Sequence, residues 1–88
     1  MKRKPPKKAA ALRYEPGRDN APRVVARGRG KMAERIVALA REHDVPLVED
    51  RNLVHLLEAL DVDTDIPEDL YKAVAEVLVF VYRLNSKK

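Results

Sequence analysis

The last quarter of the chain carries a long apolar stripe, and any fold of this sequence has to cover it. The apolar residues of the stripe recur three and four positions apart, which is the spacing of one helix face: Leu70, Val74, Val77, Leu78 and Val81. Pro67 suits the first position of a helix, and Glu68 and Asp69 lie favourably against the positive end of the helix dipole. The sequence therefore predicts a helix from Pro67 to about Leu84.

Two shorter helices are predicted upstream, each with its own apolar face. The first spans about Lys31 to Glu42 and the second about Asn52 to Leu60. The apolar face of the first helix is predicted to consist of Met32, Ile36, Leu39 and Ala40. Asp50 is the better cap for the second helix, because its carboxylate can accept a hydrogen bond from a free backbone N–H.

Three short strands are predicted between these helices and before them. They span Ala9 to Tyr14, Arg23 to Ala26, and Val45 to Val48, and the turn-forming segment Glu15 to Pro22 is a loop. The second strand, the first helix and the third strand follow one another, so we expect a βαβ unit with parallel strands and a right-handed crossover. The expected fold class is α/β, with a small mixed sheet of about three strands packed with three helices.

The length of 88 residues allows one domain. Residues 1–8 are charged and contain two prolines, so we predict a flexible basic arm, a folded domain over residues 9–85, and a tail at 86–88. The longest apolar run, Val77 to Tyr82, is far too short to cross a bilayer. We therefore expect a cytoplasmic protein without stable membrane insertion.

Groups that could perform catalysis are sparse. Thr64 is the only threonine and Ser86 the only serine, and neither has a nearby base that would activate its hydroxyl. His43 and His55 have no partner nearby in the sequence either. We therefore expect that the protein is not an enzyme and has no catalytic residues.

The acidic segment before the last helix resembles the start of a calcium loop. Asp61, Asp63 and Asp65 have the required spacing, but Ile66 stands where glycine is needed and Lys72 where glutamate is needed. Zinc is not supported, because there is no cysteine and the two histidines are far apart. We expect neither a metal nor a cofactor, and we interpret the segment as an acidic loop that stabilises the next helix.

Binding to phosphates or nucleic acids is a second hypothesis. The segment 28–31, Gly-Arg-Gly-Lys, lies between a predicted strand and a predicted helix but lacks the ending of a Walker loop. We interpret its glycines as a tight turn. The basic arm can attract phosphates, yet no aromatic platform is present to stack bases, so nucleic acid is not an expected partner. The alternative function is a basic-tailed adaptor for nucleic acid or a membrane surface.

Five segments together carry a more specific signal. They follow one another with regular spacing over almost the whole chain, at residues 11–14 (ALRY), 21–28 (APRVVARG), 45–49 (VPLVE), 66–67 (IP) and 70–78 (LYKAVAEVL). In this order they resemble the cytoplasmic domain of the FlhB/YscU family of export-switch proteins, found in flagellar and injectisome type III secretion.

The sequence departs from this family at two points. Family members begin with a four-helix membrane domain, and they cleave themselves between the Asn and Pro of an Asn-Pro-Thr-His motif. Counting back from Tyr14 puts that motif on Lys4-Pro5-Pro6-Lys7, which lacks the nucleophilic asparagine. The chain is therefore expected to be a stand-alone FlhB-like paralogue that corresponds to the fragment left after cleavage.

The resemblance implies a function and a binding site. The implied function is a non-catalytic accessory component of the flagellar export apparatus that docks export substrates and influences which class is exported. Export-gate proteins and early rod or hook substrates are the implied partners, at the flagellar base on the inner face of the membrane. By motif, the family's small apolar substrate pocket falls on Ala21, Pro22, Ala75 and Leu78.

The first prediction is that the chain does not cleave itself. Cyclisation of asparagine needs a side-chain amide that attacks its own carbonyl, and no Asn-Pro pair occurs in the sequence. The intact mass should stay unchanged over days at neutral pH. Two stable fragments that meet near residues 4–7 would contradict this prediction.

Overall fold

A computed structural model describes residues 7–86 and confirms an α/β fold with a three-stranded sheet and three α-helices in this range. The elements in chain order are β1 (Lys8–Arg13), β2 (Arg23–Arg29), α1 (Lys31–Glu42), α2 (Arg51–Glu58), β3 (Thr64–Asp65) and α3 (Tyr71–Ser86). A 3₁₀ turn, Glu68–Leu70, leads directly into α3, so the α-helix proper begins four residues after Pro67.

The sheet is antiparallel, and its strand order follows the chain. Strands β1 and β2 form a long hairpin in which Lys8 lies opposite Arg29 and Arg13 lies opposite Arg23. Strand β3 is only two residues long and pairs with Arg23 and Val24 at the start of β2. β1 therefore forms one edge of the sheet.

The predicted mixed sheet with a βαβ unit is wrong, because Val45–Val48 is not a strand. The N–H groups of Asp44 and Val45 donate to the C=O groups of Arg41 and Ala40, which closes the C-terminus of α1. Asp44 adopts the positive φ of 57° that this ending requires. Pro46 has no N–H, so two successive residues cannot donate to a ladder.

A bulge in β2 changes which of its side chains face each side of the sheet. The register shifts between Ala11 and Leu12, which lie opposite Ala26 and Val24, so Val25 is the extra residue. This shift lets Val24 join the same core as Leu12, where Val24 is completely buried.

Helix α1 packs against the face of the sheet that carries small side chains. Ala9 lies opposite Gly28, and a Cβ atom on Gly28 would overlap the side chain of Met32. Ala33 is the buried residue of α1, whereas Met32 and Leu39 are about half exposed. The predicted apolar face of this helix is thus partly correct, since Ile36 and Ala40 are half-buried. The close approach of the helix to alanine and glycine brings Ala33 to the contact in place of Met32 and Leu39.

The larger core lies on the opposite face, where α2 and α3 meet the sheet. Its buried residues come from both strands and helices and from the segment before α3: Val24, Leu53, Leu57, Ile66 and Val74. Ala10 and Leu12 of β1 pack against this cluster. The predicted cap of α2 is confirmed, since Asp50 Oδ1 accepts the N–H of Leu53 at 2.9 Å.

An ion pair joins the end of α2 to the end of β2. The Glu58 side chain is only 6% exposed, and both of its oxygens accept from Arg29: Oε1 from Nε, and Oε2 from Nη2 at 3.1 Å. These hydrogen bonds lower the pKa of Glu58, and the nearby charges of Lys8 and Arg27 act in the same direction. Lys8 Nζ in turn lies 2.6 Å from His55 Nδ1 on α2.

The boundaries of the predicted arm and tail need adjustment. The C=O of Lys7 accepts the N–H of Gly30 at 2.8 Å, and Lys8 is the first residue of β1, so both belong to the folded domain. Helix α3 includes Ser86, which the sequence placed in the tail. The described residues do not include residues 1–6 or 87–88. The rest of the arm and most of the position of the cleavage motif therefore lie outside them.

The core predicts different effects for two neighbouring leucines of α2. Leu57 is 4% exposed and Leu56 is 48% exposed. Leu57→Ala should lower the free energy of unfolding by about 2–5 kcal/mol, the range for a buried leucine. Leu56→Ala should change it by no more than about 0.5 kcal/mol. Urea unfolding followed by circular dichroism measures both values, and equal losses would contradict the assignment of the core.

The ion pair predicts a stability difference that depends on pH. Because Arg29 holds the pKa of Glu58 below its ordinary value of 4.5, ionised Glu58 stabilises the fold fully above that value. The stabilisation falls as the pH drops below 4.5 through the folded-state pKa. The stability difference between wild type and Glu58→Gln should therefore be constant from pH 7 to pH 5 and should shrink below about pH 4.5.

The matched control is Glu34→Gln, which removes an exposed carboxylate that lies 3.8 Å from Lys7 Nζ. This variant should differ little from wild type at any pH, because exposed pairs contribute at most about 1 kcal/mol. A Glu58→Gln difference that does not change with pH would contradict the role of the ionised pair.

Candidate functional site

An apolar pocket of about 220 Å³ opens where the loop between β1 and β2 meets α3. Seven residues line it: Tyr14, Asn20, Ala21, Pro22, Tyr71, Ala75 and Leu78. All four residues assigned by resemblance, Ala21, Pro22, Ala75 and Leu78, are among them. The structure thus brings together residues that are more than 50 positions apart in the chain, and their role in binding stays a prediction.

One wall of the pocket is a single face of α3. Tyr71, Ala75 and Leu78 follow one another at helical spacing, so their side chains share this face. Val74, the neighbour of Ala75, is completely buried in the core and fixes how the helix is rotated. Leu78 packs partly against the core and also lines the pocket, so it is both a core residue and a wall.

The opposite wall is the end of the loop that leads into β2. Ala21 is 4% exposed, and the C=O of Pro22 accepts the N–H of Ile66 at 2.9 Å. The proline ring fixes one backbone angle at this point. The loop end is therefore held both by its own geometry and by the segment that precedes α3.

Asp19 organises the rest of this loop. Its Oδ2 accepts the N–H of Glu15 at 3.0 Å, and its Oδ1 accepts from Arg13 Nη2 at 3.3 Å. The hydrogen bond from the Glu15 N–H, supported by Arg13, lowers the pKa of Asp19 against the effect of its desolvation. Asp19 is therefore ionised at neutral pH, and it closes the turn that places Asn20 and Ala21 at the pocket.

The lining of the pocket is mostly apolar and contains few polar groups. The only polar side chains among them are the phenols of Tyr14 and Tyr71 and the amide of Asn20. No carboxylate, histidine or lysine lines this pocket, so its lining offers no side chain of the usual general-base type. The pocket can accept an apolar side chain and can offer hydrogen bonds at its rim.

The motif resemblance does not assign three of the lining residues: Tyr14, Asn20 and Tyr71. Tyr71 lies one helical turn before Ala75, so helical spacing alone would have placed both on one face. Tyr14 directly follows β1, and its position depends on the path of the loop. No local pattern identifies Asn20.

The acidic segment before α3 is organised by hydrogen bonds and an ion pair. Thr64 Oγ1 donates to the C=O of Asp61 at 2.6 Å, and Asp65 Oδ1 lies 3.3 Å from Arg23 Nε. Among residues 7–86, no group of three or more His, Cys, Asp or Glu side chains is arranged to hold a metal ion. None of the helices in the described part of the chain is long and apolar enough to span a membrane.

Comparisons with known proteins give one consistent family. The model of the FlhB HrpN YscU SpaS family matches residues 3–81. The protein YlqH of Bacillus subtilis (strain 168) is 48% identical over 82 residues, which cover 93% of this chain and 88% of YlqH. The flagellar biosynthetic protein FlhB of the same organism is 39% identical over 80 residues, or 90% of this chain. The chain spans only 22% of the length of that FlhB.

A solved structure agrees with this result. The cytoplasmic domain of FlhB from Shewanella putrefaciens superposes with a TM-score of 0.84 at 34% identity. The match covers 91% of this chain and 63% of that chain. The likeness therefore extends over almost all of this chain.

Proposed function

The chain belongs to the FlhB HrpN YscU SpaS family of flagellar and type III export-switch components, and on this premise we propose that it docks export substrates through the pocket between Pro22 and Ala75. In this function the protein is a non-catalytic accessory component of the flagellar export apparatus. By docking substrates it influences which class is exported. The observation that carries the proposal is that Ala21, Pro22, Ala75 and Leu78 line one pocket.

The size and the chemistry of the pocket support an apolar ligand group. A closed apolar cavity of about 150 Å³ can hold a benzene molecule. An open pocket of about 220 Å³ has room for a side chain of the size of leucine or phenylalanine. The two alanines in the walls leave this space open. The phenol groups of Tyr14 and Tyr71 can form hydrogen bonds with the backbone of a bound segment.

Membership of this family also suggests the partners of the protein and its location in the cell. We expect the ligands to be short hydrophobic segments of early export substrates, of the rod or hook type. Export-gate proteins are the expected apparatus partners, at the flagellar base on the cytoplasmic side of the membrane. The mostly apolar lining of the pocket supports a docking role.

Filling the pocket tests this function. Ala75 is exposed on α3, so Ala75→Leu should fill the space without disturbing the core, whereas Ala21 is buried. The variant should bind a fluorescein-labelled peptide that carries a short hydrophobic segment of a flagellar rod protein with roughly 5- to 30-fold lower affinity. This loss corresponds to about 1–2 kcal/mol, the scale of one buried apolar contact.

The matched control is Ala38→Leu, the same change at an exposed position of α1. It should bind the peptide like wild type, and circular dichroism should show that both variants are folded. Unchanged affinity of a folded Ala75→Leu variant would refute the pocket. A steep loss of wild-type affinity between low and high salt would favour binding by the basic arm instead.

A further inference from the structure

Strand β1 leaves one side of its backbone without a strand partner in the described part of the chain. The strand order β1-β2-β3 puts β1 at the edge of the sheet. Helices α1 and α2 contact β1 from the two faces of the sheet and do not extend the ladder. Such an edge presents N–H and C=O groups that another strand can pair with.

The register identifies which groups point outward. The N–H of Gly30 donates to the C=O of Lys7, so these two residues form a hydrogen-bonded pair at the end of the hairpin. Bonded and non-bonded pairs alternate along an antiparallel ladder. Ala9 and Ala11 therefore bond to β2, while the N–H and C=O groups of Lys8 and Ala10 point away from it. Among the described residues, no hydrogen bond outside the ladder uses these groups.

The side chains of β1 do not block the approach of a further strand. Edge strands are commonly protected by lysine or other charged side chains, by proline or by a covering segment. In β1 the charged side chains stand only at the two ends, at Lys8 and Arg13. The residues between Lys8 and Arg13 are Ala-Ala-Ala-Leu, which have neither proline nor charge. Their small size allows close approach of a second backbone.

The charges at the ends of β1 select the kind of strand that can pair. Lys7 and Lys8 precede the alanines, and Arg13 follows them. Lys7 also lies 3.8 Å from Glu34, and Arg13 lies 3.3 Å from Asp19. An ammonium has three N–H donors and a guanidinium has five, so donors of both side chains remain for a guest strand. In an antiparallel pair of two copies of β1, Lys8 of one copy would lie near Arg13 of the other, and like charges in opposite positions are destabilising. A strand with acidic ends would instead place opposite charges at both ends.

We propose that the outer edge of β1 binds an extended segment of another polypeptide, with acidic residues at both ends of a short uncharged stretch. The backbone groups of Lys8 and Ala10 supply the hydrogen bonds, and the basic ends of β1 supply the preference for an acidic partner. This edge lies outside the pocket lining, apart from Tyr14 that follows it, so the proposal does not depend on the proposed function.

A pair of synthetic peptides tests the preference for charge. The probe has the sequence Asp-Glu-Val-Thr-Val-Thr-Asp-Glu, and the control has lysine at each acidic position. The full chain should bind the acidic peptide at least about tenfold more tightly than the basic one. Hydrogen exchange followed by NMR should slow at the amides of Lys8 and Ala10 when the acidic peptide is added. Equal affinities, no binding, or protection only at other amides would overturn the proposal.

Two substitutions at one position test the backbone pairing. Ala10→Pro removes an N–H that the proposal assigns to the guest strand alone, and it should lower the affinity for the acidic peptide at least about tenfold. Ala10→Val also enlarges the side chain but keeps the N–H, so it should bind the peptide nearly as wild type does. A folded Ala10→Pro variant that retains the affinity would overturn the proposal. If this variant is unfolded, the exchange measurement on the unaltered chain decides.

Two further measurements distinguish strand pairing at β1 from binding in the pocket and from self-association. The pocket variant Ala75→Leu should bind the acidic peptide like wild type, so failure of either site can be recognised independently. Sedimentation of the chain alone should show no pairing through β1. A dimer that protects the amides of Lys8 and Ala10 without peptide would show that a second copy occupies the edge, and would refute the acidic partner.

Discussion

The burial of Val24 and Val74 in one core positions the two walls of the pocket relative to each other. Val24 reaches this core because the bulge at Val25 turns it towards α2 and α3. Pro22 stands two residues before Val24, and Ala75 directly follows Val74, so each pocket wall is next to a completely buried residue. A change in the packing of either valine would move one wall relative to the other. The stability of the fold and the shape of the pocket therefore depend on the same contacts.

The two faces of the sheet are packed in different ways. Towards α1, small residues such as Ala9, Gly28 and Ala33 let the helix and the strands come close together. Towards α2 and α3, larger aliphatic side chains fill the space, and the pair of Arg29 and Glu58 closes one end. Burial of Glu58 is tolerated there because both carboxylate oxygens accept from the guanidinium group. In the described part of the chain, this second face has both the larger core and the pocket lined by Ala75 and Leu78 at its rim.

The sequence predicted elements best where a local signal and the tertiary contacts agree. The bounds of α1 and the cap at Asp50 follow from periodicity and from the chemistry of helix ends, and both are as expected. The strand expected at Val45–Val48 did not form, because the N–H of Val45, the first residue of that apolar run, closes the end of α1 instead. Strand β3 has two exposed polar residues and exists only through its pairing with Arg23 and Val24, so no pattern in the sequence marks it.

The candidate site shows the same division. Motif resemblance provided four of the lining residues, and the remaining three depend on how the loop and α3 meet.

Leu78 belongs both to the pocket lining and to the packing around the core, and this determines how the site can be probed. Truncation of Leu78 would enlarge the pocket and would also remove packing from the core, so a loss of binding would have two causes. Ala75 differs, because it is exposed and lines the pocket without belonging to the core cluster. A larger side chain there occupies space that the fold does not use, so its effect on binding can be separated from its effect on stability. Alanine at this position gives little stabilisation to the domain, and the open volume beside it is the property that a docking function requires.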